Sequence, residues 1–511
     1  MFDITTERYV EEARKGIRNP VLRRALTSLQ ERFGRGTAAA YGKLPEGPEL
    51  RLKAHAIREK AIENLDVLLE TLTARIRKNG GHVFFAATAK DAVEYGLAVA
   101  RRHRVRLVVK GKSMVTEEIG LNPALEAAGI EVVETDLGEY IIQLAGETPS
   151  HIIAPAIHKT RNEIADLFVQ KLGIRRTTSP PELTQAARKA LRAKFLAADM
   201  GTSGVNMACA ESGHITTVSN EGNIRMATTM PRVHVAFMGM ERIVARLDEY
   251  EIILRLLCRG AAVQNMGTYA SYIGGPRRAG ETDGPDEFHL VVVDNGRSRI
   301  LADPQFREML CCIRCAACLN VCPVYGKIGG HCYGFAYSGP VGAVVTPLLT
   351  GINRAKDLPR GETLCGACMD ACPMNIDLPR MLVALREKLA YGDRDWQVEP
   401  ANRAEGMAYR GWSWLIRRRR LYELALKLGA IGQKMLPSEN GMIRRLPPPL
   451  QGWTQSRDLH PLATETFMQR WRKKEVTSDE SRVKSNCRIK GEAQQPVEAL
   501  SSESEKERNE R

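Results

Sequence analysis

The order of hydrophobic and polar positions divides the chain into regions with different periods. Residues 1–80 repeat leucine and isoleucine near helical spacing, which predicts a helical lead-in. From 81 to 302, short β-branched runs alternate with helical stretches, a pattern typical of an α/β domain with a mostly parallel sheet. The strands that this pattern predicts are the runs 82–85, 106–109, 130–133, 151–153, 214–218, 234–237 and 289–293.

The pattern changes at about residue 303, where cysteine, glycine and proline interrupt short helical segments. Residues 303–393 are therefore predicted to form a separate all-α domain. A helical C-terminal segment containing tryptophan and arginine follows over 394–474. The last region, 475–511, is mostly serine, glutamate, lysine and arginine, with few apolar residues, so we predict a disordered tail there.

Composition and charge indicate where the protein works. No run approaches the roughly 18 apolar residues of a spanning helix, and the first residues do not resemble a secretory signal, so no direct membrane span is expected. Nine of the 12 cysteines lie between Cys311 and Cys372, mostly at metal-ligand spacing, which favours a reducing, cytoplasmic location. The net charge is +14, but its densest run, Arg417–Arg420, is interpreted as a solvated helix face. No nucleic-acid partner is expected.

Two cysteine motifs predict the chemistry of the all-α domain. The first reads C-x2-C-x2-C-x3-C-P and ends at Pro323, and the second reads C-x2-C-x3-C-P and ends at Pro373. In two-cluster ferredoxins, cysteines at two-residue gaps bind one cubane, whereas the cysteine after the three-residue gap binds the other. Two [4Fe-4S] clusters are therefore predicted. The ligands are Cys312, Cys315, Cys318 and Cys372 for cluster 1, and Cys322, Cys365 and Cys368 for cluster 2.

The second motif lacks one ligand. A complete motif would have cysteine at position 362, where the residue is Glu362. Cys332, Cys311, Glu362 and an exogenous ligand are all alternatives for cluster 2, as is a three-iron cluster, and Cys332 is the preferred one. Two zinc sites are a further alternative. Zinc explains neither the third consecutive cysteine of the first motif nor the proline after both final cysteines, so iron-sulfur clusters are favoured.

The α/β domain carries no recognised cofactor motif. The segment at 111–113 ends like a phosphate-binding loop, but position 106, where the first glycine would stand, is Arg106. No G-x-G-x-x-G follows a predicted strand, so a nicotinamide cofactor has no support. Polar turns at 211–213 and 220–223 are equally consistent with a binding site and with ordinary turn chemistry.

The chain resembles the lactate utilization protein B family, the iron-sulfur subunit of a three-component L-lactate oxidation system. The resemblance implies an α/β domain similar in fold to isomerases and CoA-transferases, followed by a helical two-cluster ferredoxin domain. It also implies that the chain carries electrons from L-lactate oxidation within a complex with two other subunits, and that the family's cluster ligands correspond to the seven cysteines above. The segments that carry the resemblance, besides both cysteine motifs, are 108–114, 116–118, 134–139, 151–158, 220–223, 274–278, 293–298 and 452–458.

These observations favour a non-catalytic electron-transfer subunit whose electron acceptor the sequence does not identify. One alternative is that the α/β domain itself binds and oxidises a 2-hydroxy acid, with the carboxylate held by basic side chains. Another is a redox sensor whose clusters control binding to an acidic partner or nucleic acid. The basic residues considered for the carboxylate are Lys110, Lys112, His158 and Arg161.

Overall fold

The computed structural model describes residues 6–400, 403–448, 450–454 and 457–476. It divides into two compact units, Met1–Ala401 and Asn402–Arg511. The tail predicted over 475–511 lies outside the described residues from position 477 onward.

The chain begins with helices that pack against the cysteine-rich region. Asn19 caps the second helix, since its side chain accepts hydrogen bonds from the amides of Val21 and Leu22. Leu22 and Leu26 of that helix are buried in the same apolar core as the cysteine-rich residues. A short π-helical turn, Gln30–Gly34, continues it. The helices are α1 (Thr6–Arg18), α2 (Pro20–Leu29), α3 (Arg35–Gly42), α4 (Gly47–Glu63) and α5 (Leu65–Lys78).

The α/β domain contains a six-stranded parallel sheet and a smaller mixed sheet. Its strands are β1 (His82–Ala86), β2 (Leu107–Lys110), β3 (Glu131–Glu134), β4 (Met200–Gly204), β5 (Met207–Cys209), β6 (His214–Ser219), β7 (Val233–Gly239), β8 (Ile243–Val244), β9 (Tyr269–Ile273) and β10 (Glu287–Val293). The main sheet has the order β1-β10-β7-β4-β2-β3, and all its pairs are parallel. The smaller sheet has the order β8-β5-β6-β9. The predicted α/β arrangement with a parallel sheet is therefore confirmed.

Helices cover the main sheet, and apolar clusters lie between them and the strands. Every residue of β7 is buried, as expected for a central parallel strand. The helices are α6 (Ala89–Arg102), α7 (Met114–Glu118), α8 (Leu121–Ala127), α9 (Leu137–Ala145), α10 (Arg161–Leu172), α11 (Pro180–Ala197), α12 (Asn223–Thr229), α13 (Leu247–Ala262) and α14 (Arg297–Ala302).

The prediction of a strand at 151–153 is wrong. This segment is a turn in which His151 Nδ1 accepts hydrogen bonds from the amides of Ile153 and Ala154, both at 3.0 Å. Conversely, β4 was not predicted, because its sequence Met-Gly-Thr-Ser-Gly is not rich in β-branched apolar residues. It needs small residues: a Cβ on Gly201 would lie 1.8 Å from the carbonyl oxygen of Ala227.

The cysteine-rich region consists of turns, four short helices and two longer ones. Its 3-10 turns are Arg307–Cys311 and His331–Tyr333. The α-helices are α15 (Ala317–Val321), α16 (Tyr325–Ile328), α17 (Gly339–Thr350), α18 (Asp357–Gly361), α19 (Ala367–Asp370) and α20 (Leu378–Tyr391).

The second unit is mainly helical, with one small antiparallel ribbon. The ribbon pairs Ser438–Glu439 with Met442–Ile443. In the basic run, Arg418 stacks on Trp414 at 4.3 Å and is exposed. Across the described residues, no helix is both long and apolar enough to cross a membrane. The helices of this unit are α21 (Arg403–Ile416), α22 (Arg419–Gly432) and α23 (Phe467–Val476), with 3-10 turns at Gln433–Met435 and Leu450–Thr454.

Candidate metal centres and the adjoining cavity

Four cysteines line one small apolar cavity in the cysteine-rich region. Its other walls include Met309, Val341 and Ile376. Burial raises the pKa of Cys318, and the neighbouring thiols raise it further. Thiols crowded into such surroundings fit bound metal ions, whose positive charge stabilises thiolates. The four cysteines of this first cavity are Cys312, Cys315, Cys318 and Cys372.

The remaining three motif cysteines line a second small cavity, separate from the first. Cys322, Cys365 and Cys368 contribute to its wall together with Glu362. The Cys322 thiol donates to Glu362 Oε2 at 3.3 Å. The two cavities thus hold the two sets of cysteines that the motif spacing assigns to clusters 1 and 2, and both donor sets fit iron-sulfur clusters.

The backbone supports both cysteine motifs with the same unusual conformation. The residues on either side of Cys315 have positive φ angles, 56° at Arg314 and 66° at Ala316. The residues on either side of Cys365 repeat this, with 58° at Leu364 and 85° at Gly366. Left-handed conformations are costly for residues other than glycine, so their repetition indicates a shared structural requirement of the two motifs.

Hydrogen bonds from the chain reach the cysteine sulfurs directly. The amide of Arg314 donates to Cys312 Sγ at 3.4 Å, and the amide of Tyr325 donates to Cys322 Sγ at 3.3 Å. Such N–H···S bonds favour the thiolate form and help to set the potential of a bound cluster.

The N-terminal helices hold the backbone of both final motif cysteines. Gln30 Nε2 donates to the carbonyl oxygen of Cys322 at 2.8 Å. Arg51 Nε donates to the carbonyl oxygen of Cys372 at 3.1 Å. The N-terminal helices therefore form part of the candidate metal site, a role that their leucine pattern did not indicate.

The other two cysteines considered as ligands lie outside both cavities. The Cys332 thiol donates to the carbonyl oxygen of Gly329 at 3.2 Å. Cys311 is buried near Arg58, and burial raises the pKa of its thiol to about 12. Neither residue lines the cavity that holds Cys365 and Cys368.

A larger cavity of about 320 Å³ lies beside the first cysteine cavity. It opens at the carboxyl ends of β2 and β4. The direction in which the chain adds strands to the sheet reverses between these two strands: β3 lies on one side of them, and β7, β10 and β1 lie on the other. Open parallel sheets bind ligands at this kind of switch point. Ile313 and Arg314, which lie between Cys312 and Cys315 in the first motif, also line the cavity.

Three buried arginines, Arg242, Arg297 and Arg314, line this cavity. Arg297 pairs with Glu118 at 2.7 Å and with Glu241 at 2.8 Å. Burial would raise the pKa of Glu241, but Arg297, Arg242 and Arg314 outweigh that effect and lower its pKa to about 2. Burial lowers the pKa of Arg242 to about 10, because Glu241 offsets its lost hydration only in part.

The four basic residues proposed from the sequence do not form one site. Lys110 is completely buried, 2.7 Å from Glu134. His158 pairs with Glu147 at 2.8 Å, and Arg161 is exposed at the start of α10. Of the four, only Lys112 lines the large cavity. Sequence reasoning missed Arg242, Arg297 and Arg314, because single arginines outside a recognised binding motif carry no signal of a shared site.

Comparison with known proteins covers most of the chain. Residues 69–293 match the LUD domain, residues 308–376 the 4Fe-4S dicluster domain, and residues 394–476 the C-terminal domain of lactate utilisation protein B. Lactate utilization protein B of Bacillus licheniformis is 44% identical over 483 residues, covering 93% of this chain and 99% of the relative. The chain belongs to the lactate utilization protein B family. The proteins of that name from Shouchella clausii and Geobacillus kaustophilus are each 44% identical and cover 90% and 89% of this chain and 95% of their own length.

Similarity to solved structures is much weaker. A crystal structure of a DUF162 family protein from Deinococcus radiodurans aligns with 45% of this lactate utilization protein B family member and 98% of its own chain. Its TM-score is 0.26 and its sequence identity is 14%.

Proposed function

We propose that this chain is the iron-sulfur subunit that carries electrons when L-lactate is oxidised to pyruvate during lactate utilization. The observation that carries the proposal is the separation of the seven motif cysteines into two neighbouring cavities. Two separate sets of thiols fit two [4Fe-4S] clusters better than they fit a single metal site. The relatives' name, lactate utilization protein B, supports the metabolic context.

The chain's own residues would hold the clusters and control their surroundings. Iron-sulfur clusters supply one-electron transfer when bound. Apolar residues such as Met309 and Val341 exclude water from the first cavity. The ligands would be Cys312, Cys315, Cys318 and Cys372 in that cavity, and Cys322, Cys365 and Cys368 in the second.

In this proposal, two other subunits complete the complex and the substrate is oxidised on one of them or at a shared interface. The sequence contains no nicotinamide-binding motif that would place that chemistry on this chain. A relay role needs only metal ligands and a surface for the partners.

The proposal is tested by purifying the full chain without oxygen and measuring iron, sulfide and visible and EPR spectra after adding L-lactate. The expected result is about seven to eight irons per chain, with clusters that lactate reduces only when the partner subunits are present. Reduction of the chain alone would instead support catalysis by the α/β domain. Zinc in place of iron would overturn the proposal.

A further inference from the structure

We propose that Glu362 supplies the fourth protein ligand of cluster 2, through its carboxylate oxygen Oε2. This inference rests on the proposed function, since it assumes that a cluster occupies the second cavity. Glu362 stands three residues before Cys365, at the position where a complete C-x2-C-x2-C-x3-C-P motif would carry a cysteine. Its side chain lines the same cavity as Cys322, Cys365 and Cys368.

The two motifs are structurally equivalent at this position. Cys312 follows the short helix Arg307–Cys311 and has an extended backbone, with φ −64° and ψ 127°. Glu362 follows α18 and is also extended, with φ −83° and ψ 149°. The positive φ angles at Leu364 and Gly366 then repeat those of the first motif. The backbone therefore presents Glu362 to the second cavity as it presents Cys312 to the first.

The side chain of Glu362 is fixed for this role. It is 7% exposed, and its Oε1 accepts a hydrogen bond from the Tyr333 hydroxyl at 2.9 Å. With Oε1 bound in this way, Oε2 is directed toward Cys322 and lies 3.3 Å from the Cys322 sulfur. Partners that hold the second oxygen of a ligating carboxylate are typical of metal sites. Within the described residues, no lysine or arginine forms an ion pair with this carboxylate, since the neighbouring Arg386 donates instead to the backbone carbonyl oxygen of Glu362, at 2.6 Å. A metal cation would therefore satisfy an otherwise costly buried charge.

Cys332, the ligand preferred from the sequence, provides the matched control. It is buried close to Glu362, and its thiol is already hydrogen-bonded to the carbonyl oxygen of Gly329. Substituting Cys332 with serine changes one atom and leaves the second cavity's wall intact. The two hypotheses therefore predict opposite results for Cys332→Ser and Glu362→Gln.

The test compares the full-length chain with Glu362→Gln, Glu362→Cys and Cys332→Ser, all purified without oxygen, by iron content and by EPR and Mössbauer spectroscopy. Glu362→Gln is expected to lose about one iron per chain and to show the EPR signal of an oxidised three-iron cluster. Glu362→Cys is expected to keep about eight irons, with all iron sites coordinated by sulfur. If Glu362→Gln folds poorly, this variant still tests whether position 362 can hold a cluster ligand. Cys332→Ser is expected to match the wild type. Loss of iron in Cys332→Ser, or unchanged Mössbauer spectra in Glu362→Gln, would overturn the assignment. Absence of iron from the wild type would instead refute the proposed function.

A different observation supports a second inference: we propose that the cavity beside cluster 1 binds the carboxylate of a small 2-hydroxy or 2-oxo acid. It too rests on the proposed function, which gives the class of substrate. Arg242 and Arg314 both line this cavity, and each is only 9% exposed. In the described structure, Nη1 of each guanidinium is buried without a hydrogen-bond partner. Buried unsatisfied donors on two cations are the groups that an incoming carboxylate satisfies.

The local charges favour a single carboxylate over a more highly charged anion. Glu241 lies 3.9 Å from Arg242 and 4.0 Å from Arg314, so it offsets part of their charge without hydrogen-bonding to either. Asp136 and Glu221 also line the cavity. The wall carries four cationic side chains, those of Lys112, Arg242, Arg297 and Arg314, against these three carboxylates. The excess of one positive charge suits a single carboxylate, whereas a phosphate dianion would overcompensate it.

The rest of the wall suits the second oxygen of such an acid. Asn206 lines this wall, and its Oδ1 accepts a hydrogen bond from the Val218 amide at 2.8 Å. The side-chain amide of Asn206 also has N–H donors, which can hydrogen-bond to a hydroxyl or keto oxygen. A volume of about 320 Å³ is at the small end of ligand cavities and accommodates a short organic acid. A ligand held by Arg314 would lie beside the segment that carries Cys312 and Cys315, two of the proposed ligands of cluster 1.

Calorimetric titration of the anaerobically purified holoprotein tests this site, with L-lactate, pyruvate and inorganic phosphate as separate probes. Saturable binding of one of the two carboxylates, and weaker binding of phosphate, is expected. Arg242→Gln should weaken binding by about 10- to 100-fold, and Arg242→Lys by less, because a cation remains. Arg161→Gln is the control, since Arg161 is exposed and does not line the cavity.

Three results would overturn the inference: no binding of either carboxylate, tighter binding of phosphate, or a loss of affinity in Arg161→Gln equal to that in Arg242→Gln. If Arg242→Gln does not fold, Arg242→Lys and Lys112→Met carry the comparison, because both positions line the cavity. Iron content measured on the same samples reports on the proposed function separately from ligand binding.

Discussion

The α/β domain and the cysteine-rich region differ in how many of their helices begin at a side-chain cap, which in the cysteine-rich region is found at α20, from Asp377. Four helices of the α/β domain begin at a side-chain cap, provided by Thr88, Ser113, Asp136 and Thr160. The helices α15, α16, α18 and α19 of the cysteine-rich region are four or five residues long and have no side-chain cap. Helices this short are not stable by themselves.

This contrast indicates that the two regions depend on different stabilising interactions. In the α/β domain, apolar clusters that contain no cysteine lie beneath capped helices. The cysteine-rich region places thiols within its core, and binding metal through those thiols would contribute directly to folding. Substitutions of similar size should therefore have unequal effects in the two regions.

The largest difference is expected between two buried cysteines. Cys318→Ala removes a ligand from the first cavity and should release about half of the iron and lower the Tm by about 10 °C or more. Cys209→Ala, in β5, removes the same atom from an apolar core and should cost about 1 kcal/mol without loss of iron. Iron analysis and circular dichroism melts under nitrogen measure both effects. Equal loss of iron in the two variants would contradict the contrast.

In the α/β domain, the largest loss of stability should come from a steric clash. Gly201→Ala would place a methyl group 1.8 Å from the carbonyl oxygen of Ala227, so β4 and α12 would have to separate. We expect a loss of several kcal/mol in stability, measured by urea denaturation. Gly42→Ala is the control, because a Cβ there meets nothing within 4 Å, and its stability should stay within about 1 kcal/mol of the wild type. A Gly201→Ala variant as stable as the control would show that the close packing of β4 is not required.

The same position shows how far sequence reasoning reaches. Strands rich in β-branched residues, such as β7 and β10, were predicted because their apolar side chains carry the signal. β4 was missed because its small residues are required by the neighbouring helix, which is a tertiary constraint. The residues 151–153 were mistaken for a strand because local propensity does not reveal the hydrogen bonds of the His151 turn.

The candidate sites show a similar limit. The cysteines of each motif are close together in the sequence, and their spacing alone indicates metal binding. Both sets of cluster ligands could therefore be proposed before the fold was known. Arg242 and Arg314 are 72 positions apart and belong to different regions of the chain, so only the folded structure brings them to one cavity.

The α/β domain should also respond to pH through histidines that are buried in the neutral form. Burial lowers the pKa of His151 and His234 to about 3, and that of His289 to about 4. In the unfolded chain these groups titrate near pH 6.5, so below that pH the unfolded state binds protons that the folded state excludes. Stability is therefore complete above pH 6.5 and should fall as the pH decreases, by up to about 1.4 kcal/mol per pH unit for each histidine.

Melting temperatures between pH 7.5 and 5 measure this dependence. His234→Gln, which can keep a hydrogen bond to Ser203 Oγ, should make it less steep. His460→Gln, at an exposed position of the second unit, should leave it unchanged. If the melting temperature falls equally steeply with pH in the wild type and in His234→Gln, His234 does not contribute to the pH dependence.

The smallest expected effect compares the two cysteine motifs with each other. Gly366 has a φ of 85° and stands where the first motif has Ala316, with a φ of 66°. A Cβ on Gly366 would meet nothing within 4 Å, so Gly366→Ala tests backbone conformation alone. Because Ala316 shows that alanine can adopt this conformation beside a motif cysteine, Gly366→Ala should keep its iron and lose only about 1 kcal/mol, seen as a Tm lower by about 2 °C. Ala316→Gly should change the Tm in the opposite direction or not at all. Loss of iron in Gly366→Ala would mean that the two motifs are not equivalent, and would weaken the argument that places Glu362 in the role of Cys312.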